Sequence, residues 1–410
     1  MRARDSLAVP EFRGMIAAQI ASEAGDQIAR VALALLVLDQ TGSALWAAAT
    51  FALAYIPSTL GAAILGPIAD RASRRNVMLV SDLARAVLVG VLALVAVDGT
   101  PLFVLFALLL VAELFTPAFD AARTATIPDV LGDPALVTAG FGLSRSLNLV
   151  NQVVGLALGG AVVQLLSSRW ALGLDAFSFV ISFLILQVTL RRRDALLQGG
   201  TTLKRLFADF REGASAVAND PARRALIGLL WAMGITIVAP EAVALAYARQ
   251  EGASNAAGSI LMAVTIAGAA IGSVMIGSRP ALMQLDLILP MVIGCSIPLL
   301  LMGPEPPIWA TAVLFAIAGA SQAWLVPVIA FTTLLTMPEQ RGRVAGLMSA
   351  GFSLSAALSY LLVGFLADRT SPAFAVVCAG AFGLIVVCVA SARWPARHVR
   401  QAVRSLDEHF

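Results

Sequence analysis

The residues best placed to do chemistry are a few ionisable side chains stranded in apolar sequence. Glu23, Asp26 and Arg30 stand together in one apolar run. On a helix Asp26 and Arg30, four residues apart, share a face and can form an ion pair. Glu23 is then the carboxylate left over. Glu113 lies between Ala112 and Leu114 with no basic residue within one turn. A carboxyl in that setting can exchange a proton, as a proton-coupling site must. The competing reading is a neutral hydrogen-bond donor to a neighbouring helix. Glu241, after Pro240, is a further carboxyl of this kind or an ordinary interfacial acid. The proton-exchange candidates are thus Glu113, Glu23, Asp26 and Glu241.

A second group has ligand-binding chemistry. Arg145, Asn148 and Gln152 fall on one helical face, with Asn151 beside them. Arg145 can neutralise Glu113 or Asp26 across a cavity, or hold an anionic group. Arg30, Gln322 and Trp324 complete this set, Trp324 offering an aromatic surface to apolar ligands or to lipid. Asp82 and Arg85 are read as a brace near a helix end. Other chemistries have no residues to carry them. His398 and His409 both lie in the last 13 residues, and the three cysteines, Cys295, Cys378 and Cys388, sit in apolar runs. No metal site, disulfide framework, phosphate-binding loop or nucleophile–base pair can be assembled. No enzyme activity and no cofactor are expected.

These residues must be positioned by membrane helices. Of the 410 residues, 59% are hydrophobic and 13% charged, against about 45–50% and about 25% in soluble domains. A span needs roughly 20 apolar residues. Twelve stretches qualify: 14–38, 45–68, 77–97, 101–122, 138–166, 170–190, 225–248, 255–277, 283–303, 307–336, 344–367 and 373–393. With both termini cytoplasmic, inner segments hold 22 Lys and Arg and outer loops 3, the asymmetry the positive-inside rule requires. The net charge of +3 is too small to suggest nucleic acid. The expected partners are the bilayer, a small molecule and protons, with the chain acting as a monomer. Between the sixth and seventh spans, Leu203, Leu206, Phe207, Phe210, Ala214 and Val217 form one helical face, predicting an amphipathic helix on the inner leaflet. The expected divisions are 1–190, a linker 191–224, 225–395 and a tail 396–410.

The two halves resemble one another. Ala139–Leu147 and Ala350–Leu358 agree at six of nine positions at an offset of 211, and Pro117 and Pro128 find mates in Pro327 and Pro338. A six-span repeat is even, so the halves are parallel copies. Such repeats build secondary transporters, with a ligand site near the bilayer midplane.

At Gly66-Pro67-Ile68-Ala69-Asp70-Arg71-Ala72-Ser73-Arg74-Arg75 the chain resembles the signature loop of the major facilitator superfamily, with Ile68 and Ser73 in place of the usual Leu and Gly. The resemblance implies an all-α fold of twelve transmembrane helices in two six-helix bundles. It also implies a cytoplasmic gate at Gly66, Asp70, Arg71, Arg74 and Arg75, braced by Asp82 and Arg85. Gly364–Arg369 looks similar but falls on an outer loop and receives no gate role. Phe12-Arg13, Gly25-Asp26, Leu38–Ser43, Asp82–Arg85, Pro117-Ala118, Arg123, Pro128 and Arg341–Val344 are similar to the enterobactin-exporter and macrolide-efflux branch. That similarity implies a plasma-membrane, proton-driven exporter of a drug, antibiotic or siderophore. A lipid flippase on the same fold and a non-transporting sensor are the alternatives. Gly155, Gly159 and Gly160 resemble a glycine-rich antiporter signature, or serve close helix packing.

Overall fold

The computed structural model describes residues 3–69, 73–97, 99–193 and 203–393, without the side chains of 3, 58–69, 203–210 and 393. The described chain is helical, and its long helices fall where the apolar runs predict. They are α1 (Pro10–Thr41), α2 (Ala44–Ala69), α3 (Arg74–Val95), α4 (Leu102–Leu131), α5 (Pro134–Leu166) and α6 (Ser168–Thr189). After a linker helix, Leu203–Ala218, come α7 (Pro221–Gln250), α8 (Asn255–Gly277), α9 (Ala281–Leu300), α10 (Ile308–Leu334), α11 (Arg341–Arg369) and α12 (Pro372–Arg393). Ten helices among the described residues are long and apolar enough to cross a bilayer. The exceptions are α1, diluted by its charges, and α2, described in full only for its first part.

Apolar side chains fill the interior and also cover much of the exterior. Leu165 and Val188 are 82% and 83% exposed, while Thr50, Ser259, Thr265 and Thr311 are fully buried. Apolar side chains facing outward need hydrocarbon around them, and the buried hydroxyls need acceptors. Those of Thr50 and Thr265 bond to carbonyls within one turn of their own helices. Trp46, Trp170 and Trp309 stand exposed near helix ends, as interfacial residues do.

Local sequence explains the ends and breaks. Ser73, the departure from the usual glycine, caps α3 by accepting from the Asn76 amide, and Asp133 and Asp220 cap α5 and α7. α4 is interrupted at Leu114 and α10 by a tight turn at Gln322–Trp324. Both breaks end three residues before a proline, Leu114 before Pro117 and Trp324 before Pro327, and a proline removes a helix donor. The repeat therefore reproduces the same defect in each half.

Contacts divide the chain into two units. The first comprises Met1–Gly42, Leu53–Leu203 and Ser254–Ser259. In it α1 packs on α5 and α6, and α3 on α6 and α4. The second comprises Ser43–Ala52, Lys204–Ala253 and Ile260–Phe410, with α9 on α12 and α10, and α7 on α11. The linker helix is held to the start of α11 by Glu212 and Arg343, 2.6 Å apart.

Candidate functional site: a ladder of buried ion pairs

The first unit concentrates its charge along α1. Glu23, Asp26 and Arg30 are spaced about one turn apart, so a single helix presents three charges in sequence. Each finds a partner on a different part of the unit. Glu23 pairs with Arg123 of α4 at 2.9 Å, and also accepts from Asn151 of α5 at 3.2 Å and Gln19 at 3.1 Å. Asp26 receives Arg85 of α3 at 2.6 and 2.7 Å. Arg30 donates to Glu113 at 2.9 Å, at the end of the first stretch of α4. The Arg85 guanidinium also lies 4.0 Å over the Phe179 ring, a cation–π contact that helps hold it away from water.

The sequence-based pairings are corrected here. Asp26 does not take Arg30, because Arg85 of α3 reaches Asp26 and Glu113 of α4 reaches Arg30. Glu23 is not left over. Glu113 is the counter-ion of Arg30 rather than an isolated acid; local sequence spacing hides a partner that lies 83 positions away. Arg85 serves the Asp26 pair rather than the signature loop. Asp82 accepts from Ser182 at 2.6 Å and is fully buried. Arg145 is exposed; among the described residues it reaches its own neighbour Asn148 at 3.4 Å and pairs with neither Glu113 nor Asp26. Gln152 is half-buried on the same helix.

In the second unit Glu241 accepts from Tyr360 at 2.8 Å, and no ion pair involves it among the described residues. Gln322 donates to the Ile237 carbonyl at 3.2 Å, and Trp324 is fully buried. Trp324 is a core side chain in the tight turn, neither lining an open cavity nor facing lipid. Of the signature-loop residues, Arg74 bonds to the Ala125 carbonyl and Asp129, and Arg75 to the Gln187 carbonyl at 2.7 Å. Both tie α3 to neighbours in the same unit. Asp70 and Arg71 lie outside the described residues, as do the surroundings of Gly66, the faces of Leu203, Leu206, Phe207 and Phe210, and the tail.

Three features escape the sequence reading. Arg123 looks like a loop residue but enters the ladder. Asp175 of α6 is 2% exposed. Its position between Leu174 and Ala176, inside an apolar run, was the available signal. Asp368 of α11 accepts from the backbone of Ala44 at 2.6 Å and Leu45 at 3.3 Å, and from the Ser43 hydroxyl. It thereby caps α2 within the second unit. The motif around it lies in the last turn of α11 rather than on the expected outer loop, and its Asp368 has a helix-capping role.

The family pattern described as "Major Facilitator Superfamily" matches residues 15–302, well over half the chain. The chain belongs to the major facilitator superfamily. It is 28% identical over 368 residues to the multidrug efflux pump Tap of Mycolicibacterium fortuitum, covering 86% of this chain and 88% of that one. It is 30% identical over 192 residues to the Tap pump of Mycobacterium tuberculosis, covering 44% of each. Among solved structures, a mutant of the nucleoside transporter NupG aligns with TM-score 0.76 over 94% of this chain and all of that one, at 12% identity. A bacterial homologue of the lysosomal transporter Spinster aligns at 0.67 over 96% of both chains, at 16% identity. At such identities these structures carry the fold alone. The protein is thus an all-helical, multi-span secondary transporter of a small molecule.

Proposed function

We propose that this superfamily member is a proton-coupled exporter of small hydrophobic or amphipathic compounds in the plasma membrane, with both termini cytoplasmic. The observation that carries the proton coupling is the buried ladder of the first unit. Carboxylates and arginines held away from water change their preferred partners when one carboxylate takes up a proton, so protonation can bias one conformation over another. Similarity to Tap over most of the chain supports the export direction and the cargo class. The short matches to the enterobactin-exporter and macrolide-efflux branch point the same way. In this reading Glu23, Asp26, Glu113 and Glu241 belong to the titrating machinery. Arg30, Arg145, Asn148, Asn151, Gln152, Gln322 and Trp324 shape the cargo path directly or by packing. Gly66, Asp70, Arg71, Arg74 and Arg75 belong to the cytoplasmic gate.

The test is flux in proteoliposomes. An imposed pH gradient should drive accumulation of an amphipathic fluorescent drug, and a protonophore should abolish it. Transport of a labelled lysolipid with no drug movement would replace this reading with a flippase. The absence of any flux would favour a sensor.

A further inference from the structure

The ladder leaves charges over. Glu23, Asp26 and Glu113 are each matched by one arginine. Two more carboxyls of the same interior, Asp82 and Asp175, have no arginine within salt-bridge distance among the described residues. An ionised carboxylate buried without a cation is strongly disfavoured. Their partners are serines, and the two serines differ. Ser182 donates to Asp82 at 2.6 Å. Ser178 lies 2.7 Å from the Asp175 backbone carbonyl and 3.2 Å from the Asp175 carboxyl Oδ1.

A serine hydroxyl has one proton to donate and two lone pairs to accept with. The shorter contact of Ser178, to the carbonyl, uses that proton. With that proton directed at the carbonyl, a lone pair of the Ser178 oxygen is left free beside Oδ1 and can accept from a protonated carboxyl. Asp175 also has room prepared for it. A Cβ at Gly25 of α1 would stand 2.5 Å from Oδ1, so the glycine is what lets the carboxyl lie against that helix. Asp175 borders a cavity of about 20 Å³ shared with Asp26, Arg30, Arg85 and Glu113, room for about one water.

We propose that Asp175 is a proton-binding site, holding a neutral carboxylic acid that donates to Ser178 in this conformation. On release, the acid O–H bond breaks and the proton passes to water in the cavity. The resulting carboxylate then competes with Asp26 for Arg85. Of the charged groups on the elements packed about Asp175, Asp26 and Arg30 of α1, Arg85 of α3 and Glu113 of α4 share its cavity, and Glu23 of α1, Asp82 of α3 and Asp120 and Arg123 of α4 lie along the same helices. α5 brings only the exposed Arg145. A single guanidinium between two carboxylates gives the proton a way to decide which helix contact persists.

This deepens the proton-coupled reading and rests on it for its role in transport, though not for the site itself. The full chain in detergent is titrated by infrared difference spectroscopy without cargo. The wild type should show a protonated-carboxyl stretch that vanishes in Asp175→Asn, an isostere of the neutral acid that should fold normally. Ser178→Ala removes the acceptor and should move that band to higher wavenumber. A protonated-carboxyl spectrum that is unchanged in Asp175→Asn, or a component lost in Asp175→Asn that ignores Ser178→Ala, overturns the proposal. A wild type with no such band, whose carboxylate bands respond to sodium ions, overturns it too. Should the band behave as expected while drug flux ignores a pH gradient, the site stands and the coupled-export reading fails.

Discussion

Replacing Glu113 with Gln separates a counter-ion from a proton carrier. Glu113 is 7% and Arg30 21% exposed in their side chains, 2.9 Å apart. Removing one member of a buried pair costs about 3–5 kcal/mol, because the other charge stays buried without its partner. The two directions are unequal. With Glu113→Gln the guanidinium keeps its charge at any accessible pH, so the cost should sit within that range, near ~3 kcal/mol, as the Gln amide oxygen retains one acceptor. With Arg30→Gln the stranded carboxyl can take up a proton, and the cost should be smaller. The double variant removes both charges and should recover about half of the Glu113→Gln loss. At roughly 2–4 °C per kcal/mol for a unit of this size, Glu113→Gln should melt about 6–12 °C below the wild type. Thermal melts of the purified protein, monitored by tryptophan fluorescence, read all three variants. Equal melting of Glu113→Gln and wild type, or strictly additive single effects, would refute the pairing and restore Glu113 as an isolated acid.

Other outcomes follow from particular contacts. Asp368→Ala removes the cap of α2 and should cost about 0.5–2 kcal/mol, visible in the same melts, with Asp368→Asn intermediate. Trp324→Ala empties a fully buried site and should cost about 3–5 kcal/mol. Trp324→Phe keeps an aromatic ring in that packed site and should melt between the wild type and Trp324→Ala. Gly159 of α5 faces Val31 so closely that a Cβ would lie 2.7 Å away. Gly159→Leu should therefore reduce folded yield in size-exclusion chromatography, whereas Gly142→Leu, in open space, should not.

The helices were legible because the bilayer imposes one rule on every span, and ten of the twelve expected runs meet it among the described residues; α1, diluted by its charges, and α2, described in full only for its first part, do not. The caps and breaks were not legible in the same way: Ser73 reads only as a departure from the signature loop and Pro117 and Pro327 only as repeat mates, although each acts on its immediate neighbours. The site was legible only as a set of residue types. Glu23, Asp26, Arg30 and Glu113 announced themselves by their cost in an apolar run, but spacing along one helix cannot say which helix arrives opposite. Asp26 and Arg30 satisfy the four-residue rule and still choose partners 59 and 83 positions away. Asp368 shows the converse: its neighbours in sequence suggest a loop motif, and the groups it serves, at Ser43–Leu45, are more than 300 positions distant.

The measurement closest to the central claim is proton movement driven by cargo alone. Liposomes holding the protein and a trapped pH indicator receive a gradient of an amphipathic drug, with no pH gradient and with the membrane potential clamped. Coupled export predicts that drug flow in one direction carries protons in the other, and that the indicator responds within the time course of drug flux. Drug flux that proceeds at full rate while the internal pH stays constant would contradict it.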